Sequence, residues 1–199
     1  MKRPTFLIAL ALCLLTAWAA APADAVAVGD TAPAFSLADL SGQTVSLGDF
    51  EGKTVVLEWV NPKCPFSDRH AVEKTMINLA AAYGDVVWLG INSTNPEHGN
   101  FLSPKEHQAW VDDRGVNYAV LYDESGEVGK AYDARTTPHM FIIDGSGTVV
   151  YNGAIDDDPS GRTEMAKRLN YVDGALGAVG SDGAIDPAST KPYGCSVKY

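Results

Sequence analysis

Basic residues are scarce in this chain: 15 lysines and arginines stand against 25 aspartates and glutamates, a formal net charge of −10. Nucleic acid or an anionic membrane would have to bind against that charge, so neither is expected as a partner. Long apolar runs are scarcer still. One covers Phe6–Ala20, and beyond it no run is long enough to cross a bilayer. Cysteine occurs three times, at Cys13, Cys64 and Cys195, and no two of them form a Cys-x-x-Cys pair. No histidine or cysteine pair has the spacing of a metal motif, and no internal repeat divides the chain.

What is present begins with an address. Lys2 and Arg3, the apolar stretch Phe6–Ala20 and the small residues Ala19–Ala25 have the layout of a cleavable secretory signal peptide over residues 1–25. Leu12 precedes Cys13 where a lipoprotein site wants Gly, Ala or Ser, so no lipid anchor is expected. The mature protein is therefore expected to be secreted or periplasmic, with no integral membrane span. The remaining length suffices for one buried domain, placed at 26–180, with a small-residue tail at 181–199. Cys64 and Cys195 survive cleavage, and in an oxidising compartment an even pair invites a disulfide.

The chain is organised around Leu57-Glu58-Trp59-Val60-Asn61-Pro62-Lys63-Cys64-Pro65-Phe66-Ser67. Thr54–Val60 is apolar and β-branched except at Glu58, as a central strand covered on both faces should be. A turn follows, and then residues 65–83 read as helix, with Val72, Met76, Leu79 and Ala80 at helical spacing. Cys64 thus stands at a helix N-terminus, where unpaired N–H groups and the helix dipole favour thiolate, and Pro65 suits the first helical position. Around this unit, Phe35–Leu37 and Thr44–Leu47 predict a small hairpin, and Val86–Asn92 and Tyr118–Tyr122 further strands. Ser103-Pro104-Lys105-Glu106 is a capping box opening a helix to about Asp113. Val128–Ala134 predicts a short helix, Met140–Asp144 with Thr148–Tyr151 a hairpin, and Glu164–Leu176 a final helix. The pattern fits an α/β sandwich with a mixed sheet.

A cysteine at a strand-to-helix turn, joined to Thr137-Pro138 ahead of the strand His139–Asp144, resembles the thioredoxin fold. Glu58-Trp59, Asn61, Cys64-Pro65-Phe66, His70, Thr137-Pro138 and the ending Gly194-Cys195-Ser196-Val197-Lys198-Tyr199 resemble the exported alkyl-hydroperoxide-reductase/thiol-antioxidant (redoxin, peroxiredoxin-like) group. That resemblance implies a mixed central sheet with helices on both faces and a cis proline at Pro138, against the active cysteine. It also implies Cys64 as a redox nucleophile. Pro65, Phe66, Thr137, Pro138 and His139 would then be the platform for substrate, and no cofactor or metal is implied. Departures from the pattern matter as much. Ser67 stands where thioredoxin has its second cysteine, so no local disulfide can form. Asn61, Leu57 and Pro138 stand where peroxiredoxins keep a hydroxyl residue, a proline and an arginine.

Glu58 lies six residues before Cys64, where thioredoxin keeps a buried proton-exchanging aspartate. Val56, Glu58 and Val60 share one strand face, so the carboxylate is expected to be buried, to titrate high and to act as a proton relay. His139 is expected near Cys64 and His70 as a structural or pocket histidine. Met140 and His139 point to opposite strand faces, which argues against a copper site. Asp156-Asp157-Asp158-Pro159 lacks calcium-loop spacing and reads as a solvated turn.

The function expected from these readings is thiol–disulfide oxidoreduction on a protein or small-molecule substrate, with an external thiol as reductant. Cys64 attacks, and Cys195 is expected to reach it, because Ser67 cannot resolve a mixed disulfide and the tail is rich in small residues. Two rivals stand beside it. One is a thiol peroxidase resolved by Cys195; the other is a binding or chaperone module that kept the fold without turnover. Cys195 could equally be a structural partner or pair with a second molecule.

Overall fold

A computed structural model describes residues 25–181 and 183–199. All but the last residue of the expected signal peptide lie outside the described residues. The main strands are β1 (Ser36–Asp39), β2 (Thr44–Ser46), β3 (Val55–Trp59), β4 (Val87–Asn92), β5 (Ala119–Tyr122), β7 (His139–Ile143) and β8 (Val149–Gly153). They form one mixed sheet in the order β2-β1-β5-β4-β3-β7-β8. β3, β4 and β5 run parallel; β1–β2, β1–β5, β3–β7 and β7–β8 pair antiparallel. Two short strands, β6 (Thr136–Thr137) and β9 (Cys195–Ser196), make a separate antiparallel pair.

The central strand sorts its side chains by alternation. Val55, Leu57 and Trp59 enter one apolar layer with Phe35, Tyr132 and Phe141, while Val56 enters another with Met76, Met140, Ile142, Val172 and Leu176. The second layer is roofed by α2 (Thr75–Ala82) and α5 (Tyr171–Val179), and the adjoining cluster of Val60, Val111 and Val120 by α3 (Pro104–Arg114). Across the sheet the cover is lighter: the lead-in around Phe35, a 3-10 turn at Leu47–Phe50 and α4 (Glu127–Ala131), whose Val128 packs inward. Leu57 is wholly buried, so truncating it to Ala should cost about 2–5 kcal/mol. Because β3 is held on both faces and both edges, the turn leaving its C-terminal end is fixed in space. That turn carries Cys64.

Three readings of the sequence need correction. The helix expected over residues 65–83 is two helices, α1 (Pro65–Val72) and α2, separated at Lys74, which takes φ 60. The break lets α2 lie on the sheet while Lys74 Nζ donates to the Arg114 carbonyl at the end of α3 (2.6 Å). The final helix begins at Tyr171 rather than Glu164, since the Asn170 side chain accepts from Asp173 N–H (3.0 Å) and caps a fresh start. Ahead of it Arg168 leaves helical conformation and its guanidinium bonds both oxygens of Glu73 (2.6 and 3.0 Å). The Asp156–Asp158 turn is solvated only at Asp157: Asp156 and Asp158 are both buried, and Arg168 Nε lies 3.2 Å from Asp158. A charge can be buried when a partner and hydrogen bonds come with it.

Candidate active site

Asn61 builds the turn that presents Cys64. Its Oδ1 accepts from Lys63 N–H (2.7 Å), its Nδ2 donates to Thr94 Oγ1 (2.7 Å), and its carbonyl accepts from Cys64 N–H (2.9 Å). Cys64 is then the N-cap of α1, with Pro65 in the first turn and the Cys64 carbonyl taking the first helical bond from Asp68 N–H (2.9 Å). Only 2% of Cys64 is exposed. Its Sγ donates to the carbonyl of Thr137 (2.8 Å), the residue ahead of Pro138 on a cis peptide bond.

The tail closes over this turn. Cys195 pairs with Thr137 and Ser196 with Thr136, which brings the two thiols within hydrogen-bonding reach of each other. The residue before Cys195 makes the approach possible. Gly194 has φ +136, and a Cβ there would sit 2.2 Å from the Thr137 carbonyl oxygen. The thiols titrate in opposite directions. Burial works to raise Cys64, but hydrogen bonds from the Cys195 and Thr137 side chains and from the Ser67 and Cys195 N–H groups outweigh it and hold the thiol below its usual value. Burial, and then the hydrogen bond to Cys64, push Cys195 up to about 11. The two thiols therefore differ in acidity, Cys64 being the more acidic and Cys195 the less. A cavity of about 10 Å³, room for roughly one water, lies between Asn61, Cys64, Thr94, Thr137 and Cys195.

Other expected site residues lie at varied remove. Pro65 is exposed at the mouth of the turn, and Phe66 is half-buried with its ring 6.1 Å from that of Tyr193. Glu58 is buried on β3, where it accepts from Tyr118 O–H (2.6 Å); burial raises its pKa to about 7, against that hydrogen bond. His139 has both ring nitrogens occupied: Nδ1 accepts from Arg135 N–H (3.2 Å) and Nε2 donates to Asn152 Oδ1 (2.8 Å). Burial brings it down to about 4, so the ring is neutral and committed to the core rather than turned to the thiols. His70 is buried, bonded to Thr75 and Tyr193. Ser67, at the position of the absent second cysteine, buries a hydroxyl that has no partner among the described residues. No group of three or more His, Cys, Asp or Glu among the described residues is arranged to hold a metal ion.

Sequence reasoning misses Tyr118 and Tyr193. Tyr118 opens a predicted strand and so looks like a core aromatic; only the parallel pairing of β4 with its neighbours sets it against Glu58. Tyr193 offers one signal, its place two residues before a cysteine.

The order of elements, the cis Thr137-Pro138 bond and a buried cysteine at a strand-to-helix turn agree with what residues 28–152 match, the AhpC/TSA family. The chain belongs to that family. The match ends before the tail, so Cys195 is outside it. Among curated relatives, the thiol-disulfide oxidoreductase ResA of Halalkalibacterium halodurans is 28% identical over 127 residues, 61% of this chain and 65% of the relative. The chain thus spans just under two thirds of that relative's length. Among solved structures, a conserved protein of Geobacillus kaustophilus superposes with a TM-score of 0.78 at 29% identity, covering 88% of this chain and 94% of the other. A secreted disulfide oxidoreductase of Mycobacterium tuberculosis superposes with a TM-score of 0.50 at 25% identity, covering 58% of this chain and 79% of the other. This family member keeps the thioredoxin-like architecture, and its C-terminal tail sets Cys195 opposite Thr137, the residue that Cys64 bonds. Among the described residues no helix is long and apolar enough to cross a membrane.

Proposed function

We propose that this protein is an exported thiol–disulfide oxidoreductase that works through Cys64 and Cys195. The observation that carries the reading is geometric: β9 pairs Cys195 with Thr137, the residue whose carbonyl accepts from Cys64 Sγ, so the two cysteines share one site. Cys64 thiolate attacks one sulfur of a substrate disulfide, forming a mixed disulfide and expelling the other sulfur as a thiolate. Cys195 then loses its proton and attacks Cys64 sulfur. The Cys64–Cys195 disulfide forms, the second substrate sulfur leaves, and two electrons have passed from protein to substrate. An external dithiol returns them. The lowered Cys64 thiol gives up its proton more readily, whereas Cys195 must give one up at the moment of attack. Glu58, titrating near neutrality, is the group we assign to exchange that proton, with Tyr118 orienting its carboxylate.

The relatives that carry the oxidoreductase name support this chemistry, and the secreted homologue supports export. Turnover of insulin disulfides with dithiothreitol tests it, coupled to non-reducing peptide mapping of the oxidised protein. Absence of a Cys64–Cys195 peptide would remove Cys195 from the cycle.

The 10 Å³ cavity favours one second reading. With the tail in place it has room for about one water, so a small oxidant would need less opening of the tail than a protein disulfide. Thiol peroxidation would then run by attack of Cys64 on a peroxide oxygen, giving a sulfenic acid and water, and Cys195 would expel a second water on forming the disulfide. Asn61 is tied to Thr94 and Asn100, and Arg135 to Asp133, so neither supplies the charge that a fast peroxidase directs at the leaving oxygen. Slow oxidation by hydrogen peroxide in stopped flow is expected.

A further inference from the structure

The tail bearing Cys195 is seated at several points along its length, and at each end of it a glycine makes the room. Upstream, Thr190 N–H donates to the Asn152 carbonyl (3.1 Å) and Thr190 Oγ1 accepts from Ala154 N–H (2.9 Å). A Cβ on Gly153 would meet that hydroxyl at 2.1 Å. Next, Tyr193 sends its hydroxyl into a buried polar cluster. It donates to Asp156 Oδ1 and lies 2.9 Å from His70 Nε2, while Arg69 Nη2 donates to it from 3.2 Å. The Arg69 guanidinium also sits 5.8 Å over the ring. Downstream, Asn95 N–H donates to the Lys198 carbonyl (2.6 Å), and Tyr199 O–H donates to the Ala134 carbonyl (2.6 Å). The Tyr199 ring fills a slot over Gly126 and Gly129, where a Cβ would come within 2.6 and 2.5 Å of it.

We propose that Tyr193 and Tyr199 are positioning residues that latch the tail as a strap across Cys64, fixing how often Cys195 meets it and how often anything else can. The inference rests on the disulfide-exchange reading above and adds to it who controls the exchange. His70 and Arg69 belong to α1, the helix that carries Cys64 at its start, so Tyr193 ties the resolving cysteine to the same rigid element as the nucleophile. Holding both partners replaces a loosely tethered encounter by a near-constant one, which raises effective concentration. The strap also covers the thiol. With β9 seated, the cavity beside Cys64 has room for about one water, so a protein or peptide disulfide reaches Cys64 only when the strap lifts. Loosening a latch should therefore act in two directions at once: Cys64 becomes easier to attack, and Cys195 becomes slower to finish. A tyrosine that only stabilised the fold would change neither ratio.

Tyr193→Phe and Tyr199→Phe, made in the mature chain, test this. Removing a buried hydroxyl bonded to a carboxylate should lower the equilibrium constant for the Cys64–Cys195 disulfide against glutathione about tenfold, which raises the potential by about 30 mV. On a Cys195→Ser background, the rate of Cys64 alkylation by iodoacetamide, extrapolated to the fully ionised thiol, should rise by a similar factor in Tyr193→Phe. Tyr199→Phe, which loses a bond to a neutral carbonyl, should move both readouts the same way by less. Thermal melts establish that each variant is folded. Unchanged potential and unchanged alkylation in folded Tyr193→Phe would overturn the latch; should that variant fail to fold, the same result in Tyr199→Phe would do so. A wild-type protein that forms no Cys64–Cys195 disulfide at any glutathione ratio would overturn the exchange reading alone, because the alkylation rates still decide whether the strap is latched.

Discussion

Cys64 and Cys195 are the same residue in two kinds of setting. Cys64 is held by the domain: a central strand ends beneath it, Asn61 shapes its turn, and α1 begins on its carbonyl. Cys195 is held by a tail that touches the domain through a two-residue strand pair and a few side chains. In the first setting hydrogen bonds outweigh burial and lower the thiol; in the second, burial and then the hydrogen bond to Cys64 raise it. Burial alone therefore does not decide which thiol is the more acidic. What decides is whether the groups that replace water donate or repel. The same contrast separates two of the buried carboxylates. Glu58 has one hydrogen-bond donor and titrates high. Asp158 is also pushed up by burial, but the Ser160 hydroxyl, backbone N–H groups and Arg168 together hold it low.

Breaking the contrast outright gives the largest effect. Cys64→Ser should abolish turnover of insulin disulfides, whereas Cys195→Ser should keep the first step and trap one equivalent of mixed disulfide, visible by intact mass spectrometry. Equal loss of both steps in the two variants would mean that the thiols do not divide the labour. Gly194→Ala should come next. Its Cβ meets the Thr137 backbone, so β9 must leave β6, and the disulfide equilibrium should fall by about a hundredfold as Cys195 becomes a free tether. A glutathione titration reads it.

The contrast is sharpened by titration. With both cysteines present and the two sites resolved by peptide mass spectrometry, alkylation of Cys64 should have a midpoint below the ordinary thiol value of about 8.5, and that of Cys195 a midpoint above it. Thiolate is the reactive form, so Cys64 reactivity should already be high at pH 8 while Cys195 reactivity still climbs. Because each thiol in part sets the other's pKa, removing either should bring the survivor back toward the ordinary value. A survivor that does not move would show that the pair is not coupled.

The smallest effect on the thiols is expected from Glu58→Gln, which should slow exchange a fewfold near neutral pH. Its effect on stability has a definite sign. The folded-state pKa is about 7 against an unfolded value near 4.5, so the folded protein binds the extra proton. Wild-type stability is then greatest below the unfolded value and falls as pH rises to about 7. Glutamine removes that dependence. The variant should match wild type at pH 4 and exceed it by up to about 3 kcal/mol at pH 8, measured by urea unfolding. A parallel pH dependence in both proteins would place the charge elsewhere.

Much of the fold is legible in short stretches of sequence. The apolar run Thr54–Val60 specifies a doubly covered strand, Ser103-Pro104-Lys105-Glu106 a helix start, and Cys64-Pro65 the first turn of the next helix, because strand burial and helix capping are local rules written in neighbouring residues. The break at Lys74 and the late start of α5 are not legible in that way. Helical spacing continues through both, and what interrupts it is a side chain reaching a distant element: Lys74 to Arg114, Arg168 to Glu73. The Asp156–Asp158 turn reads as solvated for the same reason, since its partner Arg168 becomes its neighbour only by folding.

By itself the sequence determined the α/β architecture, the place of Cys64 at a helix N-terminus and the acidity of the chain, all consequences of composition and short-range pattern. Only the tertiary structure decided that Cys195 lies on Thr137, that Glu58 meets Tyr118 and that Tyr193 reaches His70 and Asp156. Each of these joins residues far apart in the chain, from 37 residues for Tyr193 and Asp156 to 123 for Tyr193 and His70. Such contacts carry no local signature, because the energy that makes them comes from burial in a shared core rather than from neighbours in sequence.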